Sequence, residues 1–281
     1  MKYGINLLLW TDTLSDDAFP LLDLVKKIGY DIIELPMFCK DTANAARWGK
    51  KLDEAGLLRS ACGALGHSEN MTSADAKVRR AGIDANKSVL DCCAAAGCKI
   101  LIGNTLSALG YFTDKPLNSD EWKWALEGMR EVGDHAQKAG VQYALEPINR
   151  FETYTFNCVA DGIRFVKELN HPAVGMMYDT FHANIEEKNV ADAIRSVKDY
   201  LRHVHISEND RSTPGSGGVR WQETFAALKE INYDKWLVVE AFGASLPALV
   251  ATTKIWRRMY KDEVQLATDA LKFMKSFWEN S

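Results

Sequence analysis

Four residues close hydrophobic runs at points where an ionised group has no ordinary place. Glu146 ends YALE, Asp179 ends MMYD, His205 sits in HVHIS and Glu240 ends LVVE. A charged side chain buried in such a run is costly unless it is paired or binds a metal. A single glutamate at a strand end reads as readily as a rim salt bridge, but four such residues at one relative point of four consecutive runs point to a shared site. Three carboxylates brought together repel and raise one another's pKa. A divalent cation with a neutral imidazole removes that conflict. An oxygen-rich set with one histidine suits manganese first, with cobalt or magnesium as alternatives, whereas a structural zinc site would draw on cysteine. His203 shares the H-x-H of its run with His205. Period-two alternation points both the same way, so His203 is read as a hydrogen-bonded core residue one layer deeper.

These residues need elements that bring their ends to one place. Eight short apolar runs recur, at 3–10, 31–36, 57–65, 99–104, 141–147, 173–179, 201–207 and 236–242, and stretches of helical periodicity alternate with them. The helical segments are expected near 16–29, 41–56, 72–97, 119–140, 157–170, 189–200 and 221–232, with a last helix over about 247–278. Gly29, Gly56, Gly97 and Gly140 stand where a helix must stop before the next strand. Eight near-even units predict a single (β/α)8 barrel, an α/β fold over 1–281, whose strands converge with their C-terminal ends on one face. A doubly wound open sheet is the alternative, but the first run is not followed by the Gly-rich turn that such sheets use. The loop 209–221 is too short to divide domains.

Composition narrows the partners. A net charge of −4 offers no diffuse attraction for nucleic acid or anionic lipid, so a small neutral substrate is expected. A barrel nuclease would need several metals, more histidines than the six present, and a basic face. The six cysteines, at 39, 62, 92, 93, 98 and 158, have neither zinc-ribbon spacing nor the density of a disulfide scaffold and read as reduced thiols. The start MKYGINLLLWTD has no cleavage signal and no apolar run of membrane-spanning length, so a cytoplasmic protein is expected.

The phrases YALEPINRFE (143–152), MYDTFHANIEE (177–187), HVHISENDR (203–211) with PGSGGVRW (214–221), and LVVEAF (237–242) resemble those of the ketose 3-epimerases of the D-tagatose, D-allulose and L-ribulose type, which are xylose-isomerase-like barrels. The resemblance implies metal ligands at Glu146, Asp179, His205 and Glu240, the set that the strand ends already select. It implies substrate contacts from Glu152, His182 and Arg211, and proton transfer by Glu146 and Glu240 from opposite sides of the mouth through an enediolate. It also implies a homodimer or homotetramer. The match is incomplete where sugars are told apart: Trp10 is present after the first strand, but Leu14 is not aromatic. Cys62, Phe242 and Trp10 are expected as walls of the pocket, and the segments 66–70 and 107–112 as its far end. An aldose–ketose isomerase, an inosose or hydroxypyruvate enzyme, and a non-catalytic sugar-binding barrel remain as alternatives.

Overall fold

A computed structural model of the chain describes residues 1–38, 40–244 and 246–279. The strands β1 (Lys2–Asn6), β2 (Ile32–Pro36), β3 (Leu58–Cys62), β4 (Ile100–Gly103), β5 (Gln142–Leu145), β6 (Val174–Asp179), β7 (Leu201–Ile206) and β8 (Trp236–Val239) form a closed parallel barrel in sequence order. Closure is made by β1 against β8, with Gly4 opposite Val238 and Ile5 opposite Val239. The described helices are α1 (Pro20–Ile28), α2 (Thr42–Ala55), α3 (Ala76–Ala96), α4 (Ser119–Ala139), α5 (Val159–Leu169), α6 (Thr180–Glu186), α7 (Val190–Val197), α8 (Trp221–Glu230), α9 (Pro247–Thr253) and α10 (Glu263–Glu279). Among the described residues, no helix is long and apolar enough to cross a membrane.

The helices begin and end where the side chains dictate. Asp41 accepts from the N–H groups of Ala43 and Asn44 at 3.0 and 3.1 Å to cap α2. Asn118 caps α4, and Glu121 reaches back to the Asn118 N–H at 2.9 Å. The four expected stop glycines, Gly29, Gly56, Gly97 and Gly140, all adopt positive φ.

Period-two alternation divides the strands. Ile33 and Leu35, Tyr143 and Leu145, Met176 and Tyr178, Val204 and Ile206, and Leu237 and Val239 belong to the large core beneath the helices. Their neighbours face the lumen, where Cys62, Ile100, Ile102, Ala144, Met177 and Phe242 join a second apolar cluster. Glu34, Glu146, Asp179, His203, His205 and Glu240 share that inward parity.

Several elements depart from the periodicity. The first run stops as a strand at Asn6, because its side chain accepts from Leu8 N at 2.9 Å and caps a 3-10 turn over Leu7–Leu9. The helix expected from 16 is a 3-10 turn, Asp16–Ala18, and then α1, which starts at Pro20 where a missing N–H costs nothing. The expected terminal helix is two helices. Lys254, at φ 60°, ends α9, and Tyr260, whose hydroxyl donates to Phe242 O at 3.0 Å, ties the intervening segment to the barrel. The short α6 was not expected at all. Cys62, Cys98 and Cys158 are unbridged thiols, and Cys39 lies outside the described residues.

Candidate active site

The strands deliver their charged ends to one mouth. Register sets Asp179 directly opposite His205 across β6 and β7. Glu146 follows β5 and donates its N–H to Gly103 O at 3.2 Å; Glu240 follows β8 and donates to Ile206 O at 3.2 Å. One ligand atom from each of Glu146, Asp179, His205 and Glu240 lies within 4.8 Å of all the others, and all four residues are buried. Asp179 is the last residue of β6 and also the cap of α6. Its Oδ1 accepts from Phe181 N at 2.6 Å, which leaves Oδ2 for the mouth. The helix it starts then carries His182 into the same space.

Every substrate residue expected from the sequence arrives here. Glu152 accepts from Asn149 Nδ2 at 2.8 Å. His182 Nδ1 accepts from the backbone N–H of Asn149 at 3.1 Å, and Nε2 lies 3.0 Å from Arg211 Nη2 and 3.5 Å from Glu146 Oε1. Arg211 has left-handed backbone, φ 62°, and its guanidinium lies between the rings of Phe181 and Phe242, 3.8 and 4.8 Å from their centroids. Its Nη1 donates to Asp179 Oδ2 and Ser207 Oγ, each at 3.0 Å, and to Glu240 Oε2. The loop bearing Arg211 is pinned by buried Glu208, which accepts from Gly215 N at 2.7 Å, Val219 N at 3.1 Å and Trp221 Nε1 at 3.0 Å.

Cys62 and Phe242 line the cleft above the cluster, with Leu8, Leu109 and Leu249. Trp10 does not line it; the ring packs against the main core, because the chain has already turned through Leu7–Leu9. Of the segment 66–70 no residue lines the cleft, whereas Leu109 of 107–112 does.

Electrostatics favour a cation. Two carboxylates 4 Å apart repel by about 4 kcal/mol at an effective dielectric near 20. Burial, and then the charges of Glu240 and Asp179, push the Glu146 carboxyl well above the usual carboxylate range. Burial also works against ionised Asp179, but the Arg211 guanidinium and the His205 ring outweigh it and hold that carboxyl low. Burial and the Arg211 charge bring His182 down to about 3, so it is neutral. Burial opposes a charged His205, yet Glu34 and Glu240 hold its pKa well above the imidazole range. The cluster by itself therefore keeps protons on Glu146 and His205. Three ionised carboxylates against one guanidinium would leave two negative charges, the charge that a divalent ion cancels. Glu146 Oε1 and His205 Nδ1 are buried without a hydrogen-bond partner, so the donor set fits such an ion.

The strand-end reading missed Glu34. It is fully buried in β2, with Oε1 2.7 Å from His205 Nε2 and Oε2 3.0 Å from His203 Nε2. The signal was present, since DIIELP sets a charge inside an apolar run like the other four. His203 lies deeper, as alternation predicts.

Comparison with known proteins agrees with this geometry. The profile of the xylose isomerase-like TIM barrel family matches residues 22–277. A D-psicose 3-epimerase of Enterocloster bolteae is 32% identical over 96% of this chain and 91% of its own length. An L-ribulose 3-epimerase of Methylomonas sp. is 31% identical over 98% of this chain and 97% of its own. The crystal structure of a D-allulose 3-epimerase from Methylomonas sp. in complex with D-allulose superposes with TM-score 0.92 at 31% identity, covering 98% of this chain and 96% of that one.

Proposed function

Because the chain belongs to the xylose isomerase-like TIM barrel family, we propose that its acidic mouth is that of a carbohydrate isomerase, an epimerase that inverts carbon 3 of a free ketose. The observation that carries this reading is the convergence of Glu146, Asp179, His205 and Glu240 within 4.8 Å, with the two glutamates supplied by strands three positions apart in the closed barrel. Inversion beside a carbonyl needs a base on one face of the sugar and an acid on the other. Glu146 and Glu240 take those roles: one removes the carbon-3 proton, and the other returns a proton to the opposite face of the enediolate. A bound divalent cation, manganese before cobalt or magnesium, supplies Lewis-acid polarisation of the carbonyl.

The remaining residues bind and orient. Asp179 and His205 serve as ligands without moving protons. Glu152 and neutral His182, both held by Asn149, offer polar groups to sugar hydroxyls. Among the described residues that line the cleft, Arg211 is the only lysine or arginine, and its Nη1 is engaged by Asp179 and Glu240. That supports a ketose without a phosphate group. Cys62 and Phe242 wall the sugar. Burial, then the charge of Glu34, pushes the Cys62 thiol well above its ordinary pKa, which suits a wall rather than a nucleophile.

Incubation of the manganese-loaded protein with D-fructose, D-tagatose and L-ribulose tests the proposal. The expected products are 3-epimers. Aldoses as the main products would transfer the reading to an aldose–ketose isomerase, and no metal-dependent turnover of any ketose would leave a sugar-binding barrel. Assembly into a homodimer or homotetramer belongs to the same proposal. Exposed Phe151 and Trp256, 73% and 71% accessible, supply apolar surface for it, and a monomer in sedimentation velocity would refute it.

A further inference from the structure

Glu34 is fully buried, and its carboxylate is reached from three other strands. Register places Asn6 of β1 and Ser60 of β3 beside it. Asn6 Nδ2 donates to Oε1 at 2.8 Å, and Ser60 Oγ donates to Oε2 at 2.8 Å. Across the lumen His205 Nε2 meets Oε1 at 2.7 Å, and His203 Nε2 lies 3.0 Å from Oε2. Glu34 itself does not line the cleft. It acts on one ring. His205 turns Nε2 to Glu34 and Nδ1 to the mouth, where Asp179 Oδ2 and Glu240 Oε1 stand at 3.6 and 3.4 Å.

We infer that Glu34 is the positioning residue of the cation site: by accepting the Nε2 proton of His205 it fixes the ring's rotation and leaves Nδ1 as its only position for a metal. A carboxylate without its own proton can only accept, so Nε2 must carry hydrogen whenever the pair is formed. The lone pair for a cation is then on the nitrogen that faces the three carboxylates. The negative partner also makes Nδ1 a better donor to a metal, and outer partners of this kind typically change metal affinity by about 10- to 100-fold. Asn6 and Ser60 hold the carboxylate from the near wall, so β1, β2 and β3 together determine how a ligand on β7 is aimed.

The inference rests on the metal site of the proposed function, and its test reads metal binding rather than turnover. Manganese affinity is measured by competition titration for the wild type, Glu34→Gln and Glu34→Leu. Glu34→Gln keeps an oxygen for the Nε2–H but loses the charge, and about 10-fold weaker binding is expected; Glu34→Leu removes the acceptor, and about 100-fold is expected. Wild-type affinity in both variants would overturn the inference while leaving the metal site intact. A wild type that binds no divalent ion would overturn the metal reading and this inference with it. Should Glu34→Leu fail to fold, nitrogen-15 spectra of the wild-type histidines with magnesium bound decide the matter. A proton retained on Nε2 of His205 is the expected result, and a proton on Nδ1 with Nε2 bare would refute the assignment.

Discussion

Arg211 stands among three carboxylates and can neutralise only one of them, and that imbalance shapes the chemistry of each residue around it. The guanidinium spends Nη1 on Asp179 and Glu240, so these two are held in place, while Glu146 Oε1 has no hydrogen-bond partner. Glu146 and Glu240 are thus unlike in surroundings, and the proposed function sets them on opposite faces of one carbon. Replacing either by Gln is expected to lower turnover by about 10²- to 10⁴-fold at saturating metal. Exchange of the carbon-3 proton in heavy water distinguishes them. Each variant should still wash the proton out of the epimer that its remaining glutamate faces, and no longer out of the other. Near-normal turnover by Glu240→Gln would remove that residue from proton transfer.

The elements that hold the mouth are braced at their backs. Helices α3 and α4 are clamped by Glu131, which takes a two-pronged contact from Arg80, at 2.7 and 2.6 Å, and a further one from Lys87. Hydrogen bonds from Arg80 and then Lys87 hold the Glu131 carboxyl down at about 2, below its ordinary 4.5. A carboxyl whose pKa is lower in the folded chain stabilises the fold above its unfolded value, and that contribution is lost as pH falls from about 4.5 through about 2. Glu131 is more than a third exposed, so solvent screening keeps the contribution under about 1 kcal/mol. Urea unfolding of wild type and Glu131→Gln should differ near neutral pH and converge as pH falls over that window. A difference that grows on acidification would contradict the clamp. Closer to the chemistry, α6 exists because Asp179 ends a strand and caps a helix in one residue, and the loop after β7 is stiff because Glu208 ties it to Trp221.

For the whole molecule, the barrel works as a device that turns sequence-distant strand ends into one polar mouth. A cation that binds this mouth only in the folded chain must stabilise the entire fold, by about 2.7 kcal/mol at 100 times its dissociation constant. Dialysis against a chelator should therefore lower the melting temperature and abolish epimerisation, and manganese should restore both. Unchanged melting and unchanged turnover after chelation would end the case for a metal here. Sequence by itself determined the strand and helix alternation, the stop glycines and the four candidate ligands. Those features are local, written in periodicity and in charges out of place within apolar runs. Closure of the barrel, and the distances that make those charges one site, came from the tertiary structure. So did the role of Glu34, which carried the same local signal as the other strand-end charges but acquires a meaning only across the lumen, opposite a histidine 171 positions later. The early turn at Asn6, the displacement of Trp10 from the cleft and the division of the last helix were equally hidden. Each is decided by a side chain or backbone group bonded outside the hydrophobic pattern, and periodicity records which face a residue takes, not which partner it meets.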